Sequence, residues 1–178
     1  MSNLSLMNIM QFDEFDLEAN RRGYMTEKQR HKLLFLALIS SIVPLIFIGV
    51  CAMFFNDSLK ELTIDKYPPG ETTPWLLPWQ MVAAGIGDLI GTIILIKRWL
   101  FVLVDLRSGH IDTCVGEARI AHGEMRNLGY YGAGIRISFR WDNFILPYTA
   151  RNAFFKGKIY RVYFTPYSRI VMSIEEQE

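Results

Sequence analysis

Residues 33–55 read LLFLALISSIVPLIFIGVCAMFF, 23 residues without a charge. A run of about 18 apolar residues already marks a helix able to cross a bilayer. At about 1.5 Å per residue this one reaches about 34 Å, enough to span the hydrocarbon with some tilt. It begins after 32 residues, too late and too long for the apolar core of a signal peptide. Downstream, residues 74–96 read PWLLPWQMVAAGIGDLIGTIILI, interrupted only by Gln80 and Asp88. Two such runs in 178 residues carry more apolar surface than so short a chain can bury. The sequence therefore predicts a membrane hairpin of two transmembrane helices, not a soluble helical pair.

Basic residues orient the hairpin. Arg21, Arg22, Lys28, Arg30 and Lys32 precede the first run, and Lys97, Arg98, Arg107 and Arg119 follow the second. Only Lys60 and Lys66 fall between the runs. That asymmetry predicts both termini on the cytoplasmic side of the membrane and residues 56–73 outside. Trp75 and Trp79 suit the outer aromatic belt and Trp99 the inner one.

Three regions follow from this reading: a cytoplasmic segment 1–32, the hairpin 33–106, and a cytoplasmic domain 107–178. In the first, DEFDLEANRRG predicts a short helix with Phe12, Phe15 and Leu17 as its apolar residues and Gly23 as its C-terminal stop. Such a helix either stays solvated or lies on the membrane or a partner. Thr26 and Gln29 have capping-box spacing, so one helix should run from there through the first span. In the loop, Pro68-Pro69-Gly70 marks a turn and Thr73-Pro74 a helix start. The second helix should continue past Lys97 and Arg98, which can snorkel, to about Asp105.

Beyond residue 107, β-branched and aromatic residues rise between glycines. Strands are expected at 110–121, 134–141, 143–148, 158–164 and 169–174, with a turn at 165–168 and one helical turn near 150–155. These short strands imply a small all-β antiparallel barrel or roll. Residues 125–134, with Gly129, Gly132 and Gly134, read as a mobile loop.

Composition removes several functions. A net charge of +1 argues against a nucleic-acid-binding protein, and two cysteines cannot supply a four-cysteine zinc site. No P-loop, GxGxxG, HExxH or GxSxG is present, so no catalytic residue, cofactor or metal ligand set is assigned. His31, His110 and His122 all lie outside the apolar runs, which argues against an intramembrane haem ligated by histidine.

Asp88 is the most informative residue. It lies nine residues from both Trp79 and Lys97, near the bilayer midplane, where a carboxyl costs about 2.5–3.5 kcal/mol to insert. Ser40 and Ser41 sit at similar depth, and Pro44 frees the Ser40 carbonyl. These groups are the expected hydrogen-bond partners of Asp88. Ala83, Gly87 and Gly91 recur every four residues, a stripe that lets another helix, or a second copy of the chain, approach closely. Lys97, Arg98, Arg136, Arg140 and Arg161 are candidates to face anionic lipid or a partner.

The prefix FDEFDLEANRRGYMTEKQ and the tail NFILPYTARNAFFKGKIYRVYFTPYSRIVMSIE resemble a group of small bacterial membrane proteins with two spans and a compact cytoplasmic β-domain. The layout is also similar to that of NfeD-like proteins, although no NfeD motif matches residue by residue. The resemblance implies an architecture and no activity. The expected function is a non-catalytic accessory or assembly subunit, or scaffold, of a larger respiratory, photosynthetic or transport complex. Its partners would be other integral membrane subunits and lipid. The alternatives are a self-assembling transporter or proton-handling protein using Asp88, and a membrane-tethered β-barrel sensor or adaptor.

Overall fold

The computed structural model of the chain describes residues 2–63, 79–120, 134–139, 142–147, 150, 153–155 and 157–177. Within them run α1 (Ser2–Met10), α2 (Glu14–Arg21), α3 (Glu27–Thr63), α4 (Trp79–Ser108), β1 (Asp112–Ile120), β2 (Gly134–Phe139), β3 (Asp142–Pro147), β4 (Ile159–Phe164) and β5 (Val171–Gln177). They form two compact units, Met1–Ser40 with Leu100–Glu178, and Ser41–Trp99, whose boundaries fall inside α3 and α4.

Local chemistry explains where the helices begin and end. Asp13 caps α2: Asp16 N donates to Asp13 Oδ1 at 2.8 Å, and Asp13 N donates to Asp16 Oδ2 at 3.3 Å. At the other end Gly23 takes φ +83°, while Tyr24 N donates to Ala19 O and Gly23 N to Asn20 O, a Schellman closure. α3 opens on the expected capping box, with Gln29 N donating to Thr26 Oγ1 and Thr26 N to Gln29 Oε1, both at 3.2 Å. It then continues through Pro44 to Thr63, into what the sequence reading assigned to the outer loop. The expected Pro68-Pro69-Gly70 turn and Thr73-Pro74 helix start lie outside the described residues. So does the glycine-rich loop, apart from Gly134 at the start of β2. α4 extends three residues beyond Asp105.

The strands match the expected set closely. Their order is β3-β2-β1-β4-β5, antiparallel throughout. β1 pairs with β4 through Asp112 to Glu117 and with β2 through its last three residues. The sheet is thus a three-stranded ladder, β1-β4-β5, extended by the β2–β3 hairpin. Phe144 of β3 meets Phe164 of β4 with ring centroids 4.9 Å apart, although two strands separate them in the order. That contact requires the sheet to curl over a core that includes Tyr160, Val162, Ile174, Leu146 and Phe154. The expected barrel is corrected to an open sheet: β3 and β5 end the order and do not pair among the described residues.

The membrane reading is also coarser than expected. Among the described residues one helix, Glu27–Asp57 within α3, is long and apolar enough to cross a membrane. Only 17% of its apolar window is buried, unlike the core helix of a soluble protein. Two spans are not shown, because α4 carries Asp88, Lys97 and Arg98 along its described length.

α1 was not anticipated. Leu6 and Met10, one turn apart, are buried, and α1 and α2 both lie against β5. On α2, Leu17 is buried as expected, but Phe15 is 77% exposed and the polar Asp16 and Asn20 take the inner positions.

Candidate functional site

Two arrangements bear on function, one in each unit. The first is the packing of α3 on α4 within residues 41–99. A Cβ added at Gly87 would lie 3.0 Å from Cys51 Sγ, and one added at Gly91 would lie 3.0 Å from Ile48 Cγ1. Those glycines therefore let the helices approach closely, as small-residue stripes do. Ala83, the third member of the expected stripe, faces outward; Met81 and Ala84 are buried instead. The inward face thus follows a helical period of Met81, Ala84, Gly87 and Gly91.

Ser41 is buried, and its hydroxyl accepts a hydrogen bond from Trp99 Nε1 at 3.0 Å. The Ser40 hydroxyl donates to Ala37 O at 2.9 Å. Neither serine hydroxyl satisfies Asp88, whose Oδ1 is buried with no hydrogen-bond partner among the described residues. The expected Asp88–serine pairing is therefore replaced by a serine–tryptophan pairing, since indole N–H is a donor only and needs such an acceptor when buried.

The second arrangement ties the N-terminal helices to the sheet. The register pairs Arg161 with Glu175 and Tyr163 with Ser173, placing all four on one face of the ladder. α2 meets that face. Asn20 Nδ2 donates to Ser173 Oγ at 2.6 Å. Arg21 Nε donates to Glu175 Oε2 at 3.0 Å, and its Nη2 donates to the same oxygen. Tyr163 Oη donates to Glu175 Oε1 at 2.7 Å, and Arg161 Nη1 lies 3.5 Å from that oxygen. Burial alone would raise the Glu175 pKa. The hydrogen bonds from Arg21 and Tyr163 and the charges of Arg21 and Arg161 outweigh it and hold the carboxyl below the ordinary range. Burial and the Glu175 contact push the Tyr163 phenol up. Asp16, also buried, accepts from Thr26 Oγ1 at 2.5 Å and lies 3.2 Å from Lys28 Nζ.

α4 is tied to the same unit through Asp105. Its buried carboxylate accepts from Tyr167 N at 3.1 Å, Ser168 N at 2.7 Å and Ser168 Oγ at 2.5 Å. The turn it holds spans Thr165 to Ile170, longer than expected, because Arg169 adopts φ +58° and lays its guanidinium over Phe164 and Phe144.

The remaining candidate positions divide. Arg161 is engaged by Glu175 in the clamp. On α4, Lys97 is exposed and Arg98 is half-buried. Arg136 occupies β2 opposite Ile145, and Arg140 lies outside the described residues. Pro44 lies inside α3. His31 is exposed, and His110 lies 3.2 Å from Asp112. Among the described residues no group of three or more His, Cys, Asp and Glu side chains comes together to hold a metal. Sequence reasoning missed Asp105, Asn20 and Glu175. Asp105 carried a weak signal, as a carboxylate ending an apolar run; the other two carried none, because their partners lie about 150 residues away.

No family profile, curated protein or solved structure matches the chain.

Proposed function

We propose that this chain is a non-catalytic integral membrane subunit that joins a larger membrane complex. In this reading α3 and α4 both cross the inner membrane, both termini are cytoplasmic, and residues 107–178 with α1 and α2 form a cytoplasmic contact module. The observation that carries it is the outward surface of the two helices. Ile42, Ile46 and Met53 on α3 and Ile86, Ile90 and Ile94 on α4 are each half or more exposed, a surface suited to lipid or neighbouring helices. The excess of Lys and Arg outside the interval between the runs supports the orientation. The test is gentle-detergent extraction followed by native separation and mass spectrometry. Co-migration at fixed stoichiometry with a large complex is expected; a lone monomer or small homo-oligomer would overturn the assignment.

The partnerless Asp88 Oδ1 favours a second reading, in which the carboxyl handles protons in a self-assembled chain. Reconstituted proton flux that is abolished by Asp88→Asn would select it.

A further inference from the structure

The α2–α3 turn and the α4–β1 link are laced together. Met25 N donates to Gly109 O at 2.9 Å, Ile111 N donates to Gly23 O at 3.0 Å, and Tyr24 bridges to His110. Gly109 holds φ +62°, and a Cβ there would lie 2.5 Å from Arg30 Nη2. The Arg30 side chain is therefore seated on bare backbone, and it is exposed. Arg107, also exposed, stands two residues before Gly109, no more than about 7 Å along the Cα trace.

Neither arginine is paired with a carboxylate among the described residues. Of the nearby acids, Asp105 is committed to Tyr167 and Ser168, Asp112 to His110, and Glu18 to Arg21 and Arg22, while Glu27, three residues before Arg30 on α3, makes no ion pair with it within 4 Å. Tyr24, 67% exposed, borders the patch. Arg30 precedes the uncharged run by three residues, a rise of about 4.5 Å. Two arginines without acidic partners and an exposed tyrosine at the polar end of an apolar helix match the depth of phospholipid headgroups.

We propose that Arg30 and Arg107 form a binding site for the phosphate of an anionic phospholipid in the adjoining leaflet. The planar guanidinium fork matches phosphate oxygens, and the seating of Arg30 on Gly109 reduces the freedom it loses on binding. This inference rests on α3 crossing a membrane, so alkaline carbonate extraction comes first; release of the chain overturns both readings. The full-length protein in mild detergent is then titrated with phosphatidylglycerol and with phosphatidylcholine of the same acyl chains, and adducts are counted by native mass spectrometry. Phosphatidylglycerol should bind about thirtyfold more tightly, and Arg30→Gln/Arg107→Gln should erase the preference. Because Arg30 packs on backbone, Arg107→Gln alone serves as the gentler variant, expected to lose about fivefold. Retention in the membrane with equal binding of the two lipids, or a preference that survives both variants, overturns the site alone. Displacement of phosphatidylglycerol by equimolar glycerol phosphate would mark a site for free phosphate and overturn the lipid assignment.

Discussion

The Asp105 carboxylate, at the last turn of α4, accepts both a backbone N–H and the hydroxyl of Ser168, at 2.7 and 2.5 Å, across 63 residues of sequence. The bonds fix the β4–β5 turn to the end of the helix. A buried carboxylate is tolerable here because three donors face it. Asp105→Ala would leave two backbone N–H groups without their acceptor. The expected loss is about 3 kcal/mol, or roughly 5–10 °C in Tm of the full chain by intrinsic fluorescence. Asp105→Asn, which keeps one acceptor oxygen, should lose less.

The α3–α4 approach can be read covalently. A Cβ at position 87 sits 3.0 Å from Cys51 Sγ, a separation suited to a disulfide. In a Cys114→Ser background, Gly87→Cys should cross-link to Cys51 under mild oxidation, seen as a 2 Da mass loss (about one pair of hydrogens) in the intact chain. Gly85→Cys, whose added Cβ meets nothing within 4 Å, should not. Equal cross-linking at both positions would refute the packing.

The Glu175 clamp should give the N-terminal helices a pH dependence. Its pKa is depressed in the folded chain relative to the ordinary 4.5. The stabilisation is therefore present above about that value and is lost as pH falls through the lower folded pKa. Arg21 is half exposed, so the gain is partly screened. The protection of residues 14–21 against hydrogen exchange, relative to the intrinsic rate at each pH, should fall below pH 4.5, more than that of the sheet. Glu175→Gln should lower it at neutral pH and flatten the profile.

Asn20 and Ser173 form a buried polar pair at 2.6 Å. Either single alanine change should cost about 1–2 kcal/mol by leaving the other group unpaired. The double change should cost less than the sum of the two, and a double-mutant cycle on thermal melting should return a coupling of about 1 kcal/mol. Strict additivity would mean the bond contributes nothing.

Asp88 makes opposite predictions for insertion and assembly. Asp88→Leu removes a buried oxygen that has no hydrogen-bond partner among the described residues, so insertion of α4 should improve by about 2–3 kcal/mol in a glycosylation-mapping assay. If a partner subunit satisfies that oxygen, the same variant should lose co-migration with the complex.

Much of this architecture was legible from the sequence because its signals are local. An uncharged run of 23 residues, the Thr26–Gln29 cap, the Asp13 to Gly23 helix and the alternating strands each depend on residues within one or two turns of each other. Burial of apolar periodicity and satisfaction of helix ends are decided at that range. Tertiary structure alone decided that α2 turns Asp16 and Asn20 inward and Phe15 outward, since their partners come from β5 and from α3. It alone placed Trp99 against Ser41, left Asp88 without that serine, and held the sheet open while curling it over Phe144 and Phe164. A polar side chain does not announce its partner from composition or period. Which donor meets which acceptor is set by the register and the crossing of elements far apart in the chain.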